Sequence, residues 1–183
     1  MSAREKIEMN RCSILYVEDN PDDVLLLQFA FEKAGIKNPL HIVGDGQQAI
    51  DYLSGAEPYN DRSQHPLPGL MLLDLNLPRV MGFDVLKWVR QQGAVAGLVV
   101  VVLSSSDLPG DIQRAYQLGA NSFVSKPPDL HKQQELARAL QSWWLQQNRF
   151  GYVFEPNLPA HIAAQAHSAH TAQESRTWLA KNS

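Results

Sequence analysis

The chain has 183 residues, 44% of them hydrophobic, enough for one domain of ordinary size with a packed core and some chain to spare. A formal net charge of −3 leaves no basic field for a nucleic-acid partner. The single cysteine, Cys12, rules out an internal disulfide and suits a reducing cytoplasm, and the opening MSAREKIEMN has no apolar stretch of a secretory signal.

Residues 1–11 read as a polar leader. Ser13 to Val17 is a short β-rich run that ends in two acids, Glu18 and Asp19. Asn20, Pro21, Asp22 and Asp23 then announce a helix: a capping Asn, a proline at the first turn and carboxylates at the positive end of the dipole. That helix runs to Ala34 with Val24, Leu27, Ala30 and Phe31 at helical spacing and Leu25 and Leu26 expected to broaden the buried face, and Gly35 closes it. Leu40 to Val43 is a second strand, followed by a helix capped by Asp45 and ending at Gly55. Residues 56–69 hold three prolines and read as a long surface loop.

Leu70-Met71-Leu72-Leu73 is an all-apolar run stopped by Asp74 and, four residues later, Pro78. Such a run reads as a strand buried on both faces at the centre of a parallel sheet. A helix over 82–92 follows. Leu98 to Leu103 is the fourth strand, with Ser104, Ser105 and Ser106 ending it, and at six residues it is far short of a membrane span. A helix starts at Pro109 and closes at Gly119. Ser122 to Ser125 is the fifth strand, broken by Lys126, Pro127 and Pro128, and a last helix spans roughly 129–147. Strands alternating with helices mean βαβ units, a parallel sheet and right-handed crossovers. Residues 149–183, rich in Ala, His, Gln and Ser with one helical stretch near 160–179, are too few for a second core.

The strand ends carry the chemistry. Glu18 and Asp19, Asp74, Ser104 and Lys126 all stand at carboxyl ends of parallel strands, the edge of an open α/β sheet where ligands bind. Three carboxylates on one rim repel unless a cation joins them, and an oxygen-only donor set suits Mg²⁺. A lysine and a hydroxyl beside them suit a phosphoryl group. A carboxylate would then be the nucleophile, and the central one is Asp74.

Over about residues 12–148, with the motifs YVEDN, LLDLNLP, VVLSSS and SKP, the chain resembles the receiver domain of two-component response regulators. The resemblance implies a flavodoxin-like, doubly wound α/β fold: a five-stranded parallel sheet of order 2-1-3-4-5 with five helices. It implies that Asp74 is the phosphoacceptor, that Asp19 binds Mg²⁺ directly and Glu18 through water, and that the backbone carbonyl of Asn76 completes the ligands with Asp74. Ser104 takes the switch hydroxyl position, Phe123 the switch aromatic and Lys126 the phosphate-contacting lysine, with the Lys126–Pro127 bond cis. The separations of Asp74, Ser104, Phe123 and Lys126 are those usual in receivers. Glu18 for Asp and Ser104 for Thr keep the chemistry, whereas Phe123 has no hydroxyl to switch a hydrogen bond. The long loop before strand three and the single-domain architecture resemble phytochrome-associated response regulators.

The expected activity is that of a phosphoacceptor signalling domain rather than an enzyme in the ordinary sense. A sensor histidine kinase, a phytochrome on the narrower resemblance, supplies the phosphoryl group with Mg²⁺, and slow autodephosphorylation resets the domain. Output then runs through a protein–protein surface: a phosphorelay with a histidine phosphotransfer protein, a phosphorylation-dependent homodimer or docking on a target. No nucleic acid or membrane partner is expected, and the expected location is the cytoplasm. One alternative is a phosphohydrolase with an aspartyl nucleophile; such enzymes favour a second acid two residues on, where this chain has Asn76. Another is a pseudo-receiver that works without phosphorylation, against which the full set Glu18, Asp19, Asp74 and Lys126 argues. Asn76 and Ser106 occupy positions that set phosphoryl lifetime in receivers. Asp22 and Asp23 read as helix-start residues, with a secondary role near the metal as the alternative, and Cys12 as a small residue at the mouth of strand one. Trp143 and Trp144, being adjacent, cannot share a helix face; one should pack on the sheet and the other cover the tail or a partner. His167-x-x-His170 has no accompanying ligands, so it reads as tail and not as a metal site.

Overall fold

A computed structural model describes residues 12–148. Five strands, β1 (Ile14–Val17), β2 (Leu40–Val43), β3 (Leu70–Leu73), β4 (Val99–Ser104) and β5 (Ser122–Ser125), alternate with five helices, α1 (Pro21–Ala34), α2 (Gly46–Ser54), α3 (Gly82–Gln91), α4 (Pro109–Gln117) and α5 (Leu130–Leu140). The strands form one sheet of order β2-β1-β3-β4-β5, every pair parallel. This is the flavodoxin-like order expected.

The sheet is covered on both sides because its central strands are apolar at every position. Side chains alternate across a strand, so Leu15, Val17, Met71, Leu73, Val100 and Val102 face one way and pack on α2, α3 and α4. Ile14, Tyr16, Leu70, Leu72, Val101 and Leu103 face the other and pack on α1 and α5. β3, at the centre, is buried throughout.

The helix signals work as their chemistry requires. Asn20 accepts from the backbone N–H of Asp22, with Pro21 in the first turn, and Gly35 at φ 72 closes α1. Asp45 caps α2 through the Gln48 N–H, and Asp129 caps α5 through the Lys132 N–H. Starting α1 immediately after Glu18 and Asp19 leaves both acids at the sheet's carboxyl edge.

Four details differ from expectation. Leu25 (63% exposed) and Leu26 (37%) lie on the outer face of α1, since Leu27, Ala30 and Phe31 already fill its contact with the sheet. β4 runs one residue later than its apolar pattern, from Val99 to Ser104, because the Leu98 carbonyl is taken by the Arg90 guanidinium. The last helix is α-helical only to Leu140 and continues as a π-helical turn over Gln141–Gln147. The Lys126–Pro127 bond is trans; among the described residues the cis bond is Glu57–Pro58. An X–Pro amide prefers trans by only about 0.5–1 kcal/mol, so context decides, and with this bond trans the Lys126 N–H already reaches the Ser104 carbonyl at 2.7 Å.

Trp144 packs against the α1–α5 cluster while Trp143 is 64% exposed. What covers Trp143, the tail 149–183, its expected helical stretch and His167 and His170 lie outside the described residues, as does the leader. No helix among the described residues is long and apolar enough to cross a membrane.

Candidate functional site

β1 and β3 are neighbours in register, Val17 beside Leu73, so the residues that follow, Glu18 and Asp74, emerge side by side. Carboxylate oxygens of Glu18, Asp19 and Asp74 all lie within 4.8 Å of one another. Glu18 and Asp74 are buried and Asp19 is exposed. The chain after β3 is pressed onto the rim by Gly82: its N–H donates to the Leu75 carbonyl, and a Cβ there would run into the Asp74 carbonyl. Asp74 Oδ1 accepts from the N–H groups of Leu75 (2.6 Å) and Asn76 (3.3 Å), which fixes the carboxylate and leaves Oδ2 to meet Lys126.

Lys126 reaches in from the end of β5. Its Nζ stands 2.7 Å from Glu18 Oε2, 2.8 Å from Asp23 Oδ2 and 2.9 Å from Asp74 Oδ2. An ammonium has three N–H donors, and here each has a carboxylate. Burial alone would lower the Lys126 pKa, but hydrogen bonds to Asp23, Glu18 and Asp74 outweigh it and the net shift is upward. For Glu18 the balance is reversed: burial raises its pKa, and contact with Lys126 only partly offsets that. The Tyr16 hydroxyl, 2.9 Å away, donates to Glu18 Oε2, and burial together with that carboxylate holds its own pKa well up.

Ser104 is fully buried, and its Oγ accepts from the Ser106 N–H at 3.1 Å rather than bonding to Asp74. Ser106 Oγ donates onward to Asp111 at the start of α4. Phe123 is partly buried against the α2–α3–α4 cluster, and its N–H donates to the Tyr116 hydroxyl. The structure thus gathers Glu18, Asp19, Asp74 and Lys126, with Ser104 one strand away and Phe123 apart from the acids. Asn76 follows, exposed between the buried Leu75 and Leu77.

Two further residues belong to the site, Tyr16 and Asp23. Tyr16 shares a strand face with Glu18 by the period of two, which was the available signal. Asp23 was read mainly as a helix-start residue; of the acid pair it belongs to, it alone turns to Lys126, and Asp22 is exposed.

The donor set fits a divalent cation: it is all oxygen, and its oxygens lie within 4.8 Å of one another, inside the about 4–5 Å that separates two oxygens on opposite sides of a hard ion bound at about 2.0–2.5 Å. Lys126 holds the positive charge among them in the protein alone.

The chain matches the response regulator receiver domain over residues 14–141. It is 34% identical over 136 residues to a probable methanogenesis regulatory protein, FilR2, of Methanothrix harundinacea, covering 74% of this chain and 85% of the relative. It is 33% identical over 133 residues to the response regulator Rcp1 of Synechocystis, covering 73% and 88%. The Mn²⁺-bound crystal structure of Rcp1 superposes with a TM-score of 0.70 at 31% identity, over 77% of this chain and 99% of that one. The phosphorylated cyanobacterial phytochrome response regulator RcpA superposes with a TM-score of 0.71 at 30% identity, over 78% and 99%.

Proposed function

The chain belongs to the response regulator receiver domain family, with phytochrome response regulators among its homologues, and from that premise we propose that Asp74 accepts a phosphoryl group from a sensor histidine kinase in the presence of Mg²⁺. The observation that carries the reading is the acidic group Glu18, Asp19 and Asp74 with Lys126 Nζ 2.9 Å from Asp74 Oδ2. Residues 12–148 form the receiver, and residues 149–183 a tail. The narrower reading is a phytochrome as the kinase.

The backbone N–H groups of Leu75 and Asn76 hold Oδ1, so Oδ2 attacks the phosphorus of the phosphohistidine. The O–P bond forms as the N–P bond breaks, and the imidazole leaves with the electron pair. Glu18, Asp19, Asp74 and the Asn76 carbonyl would hold the metal, which supplies neutralisation of phosphoryl charge. Lys126 supplies the protein's own positive charge to the same oxygens, and catalysis is positioning and electrostatics. Ser104 leaves the Ser106 N–H and donates its hydroxyl proton to a phosphoryl oxygen. Its inward movement opens space into which Phe123 turns, repacking the face made by α4, β5 and α5, a local charge change biasing a two-state element. Output follows through that face, to a histidine phosphotransfer protein, a second copy or a target, and water attacking the acyl phosphate resets it.

The test is intact mass after incubation with acetyl phosphate, with and without Mg²⁺, beside Asp74→Asn, with light scattering on the same samples. One phosphoryl adduct that needs Mg²⁺ and is absent from the variant is expected. A folded protein that binds Mg²⁺ yet takes no adduct would instead be an interaction module that works without phosphorylation.

A further inference from the structure

Lys126 has a task that conflicts with its surroundings. In the protein alone its three donors are spent on Glu18, Asp23 and Asp74. On the reading above, two of those partners are later lost to it: Glu18 belongs to the metal-binding group, and Asp74 Oδ2 becomes the bridging oxygen of an acyl phosphate. Asp23 lies outside the group of Glu18, Asp19 and Asp74 that can share an ion. It sits in the first turn of α1, with its side chain 26% exposed against 14% for Lys126 and none for Glu18.

We infer that Asp23 is a positioning residue, which keeps the Lys126 ammonium over the acceptor once Glu18 and Asp74 have been given up to the metal and the phosphoryl group. The inference rests on Asp74 being the phosphoacceptor.

The argument is one of differential binding: only a contact worth more in the reacting state than in the starting state changes the rate. Before the metal and the phosphoryl group engage Glu18 and Asp74, those two carboxylates beside Lys126 suffice to hold it, and Asp23 adds little. With those two engaged, Asp23 is the carboxylate left to hold the lysine against the phosphoryl oxygens. The contact is between charged groups and partly shielded from water, so it is stronger than a neutral hydrogen bond. α1 is anchored at this end by the Asn20 cap and along its length by Leu27, Ala30 and Phe31, so Asp23 comes to the lysine from a fixed backbone. Asp22, the neighbouring acid in the same turn, supplies the control: it shares the helix-dipole role, is exposed and makes no contact with Lys126.

The experiment compares unmodified protein with Asp23→Asn, Asp23→Glu and Asp22→Asn. Phosphorylation by acetyl phosphate, in which the Asp74 O–P bond forms as the donor's O–P bond breaks and acetate leaves, is followed across a Mg²⁺ titration. Asp23→Asn should lower the rate at saturating Mg²⁺ about tenfold, the scale of one charged hydrogen bond. It should shift half-saturation by Mg²⁺ much less. Asp23→Glu should recover part of the rate, and Asp22→Asn should match unmodified protein. A second readout is independent of turnover. In nitrogen-15 spectra the slowly exchanging Lys126 ammonium signal should survive Asp23→Asn in the metal-free protein and disappear when beryllofluoride and Mg²⁺ are bound. Equal rates for Asp23→Asn and Asp22→Asn, a loss confined to Mg²⁺ half-saturation, or an ammonium signal that persists in the beryllofluoride complex would each overturn the inference. Absence of any Mg²⁺-dependent adduct on unmodified protein would instead overturn the phosphoacceptor reading itself.

Discussion

Lys126 and Arg90 are two cations at opposite edges of one sheet. Lys126, at the carboxyl edge, is held by three carboxylates. Arg90, at the amino edge, donates among the described residues to the carbonyls of Ala96 (2.9 Å), Leu98 (2.8 Å) and Gly119 (2.7 and 2.9 Å) and to the side chain of Asn121 (2.9 Å). Asn121 in turn exchanges hydrogen bonds with the backbone of Val100. Arg90 thereby ties the α3–β4 and α4–β5 connections to each other. These turn carbonyls carry no net charge that an arriving cation would draw away, so the fork has no reason to open. On the proposed reading a divalent cation would draw these carboxylates away, which makes the lysine's partners exchangeable. A staple and a switch can use the same charge, and the partners decide which it is.

The largest effect that would break this contrast is on stability without metal. Lys126→Met leaves Glu18, Asp23 and Asp74 crowded without a counter-charge, and should cost about 4 kcal/mol in urea denaturation, the scale of breaking a partly buried ion pair. Saturating Mg²⁺ should recover a large part of it, since an ion binding only the folded state stabilises by mass action. Equal losses with and without Mg²⁺ would mean that the lysine is a staple after all. Arg90→Met should cost somewhat less, about 3 kcal/mol for several carbonyls left without a donor. Mg²⁺ should give that variant no more than it gives the unmodified protein, and the folded fraction should still be phosphorylated.

A smaller effect tests a third region, the loop 56–69. Arg62 fastens it by donating to the carbonyls of Tyr52, Leu53 and His65, and beside it His41 and His65 pack their rings with Tyr52. Burial, then the neighbouring His65, lowers the His41 pKa. The unfolded chain therefore binds that proton more readily than the folded one, and stability rises with pH across the window. Melting temperature should fall modestly as pH drops through about 6.5, the ordinary value for histidine, and His41→Gln should flatten that slope.

The fold was legible because its strands are nearly pure apolar runs with a charged or hydroxyl residue at the carboxyl end of four of them. That pattern alone orders the elements and brings Glu18, Asp19, Asp74, Ser104 and Lys126 to one edge. What stayed hidden depends on partners distant in the chain. Arg90 and Arg62 look like surface arginines because backbone carbonyls leave no mark in sequence. Asp23 looks like one of two equivalent helix-start acids, and only the reach of Lys126 from the far end of the chain separates it from Asp22. Leu25 and Leu26 are apolar enough for the core, yet the helix turns them outward. The trans Lys126–Pro127 bond and the π-helical turn after Leu140 follow from local geometry that residue identity does not encode.

The most direct test of the account is to locate the phosphoryl group chemically. Protein phosphorylated with acetyl phosphate and Mg²⁺ would be reduced with borohydride, which converts an aspartyl phosphate to homoserine, then digested and sequenced by mass spectrometry. Homoserine at position 74 alone, dependent on Mg²⁺, is the predicted result. Reduction at another carboxylate such as Asp19 or Asp23, or no reduced residue in protein that carries a phosphoryl mass, would contradict it.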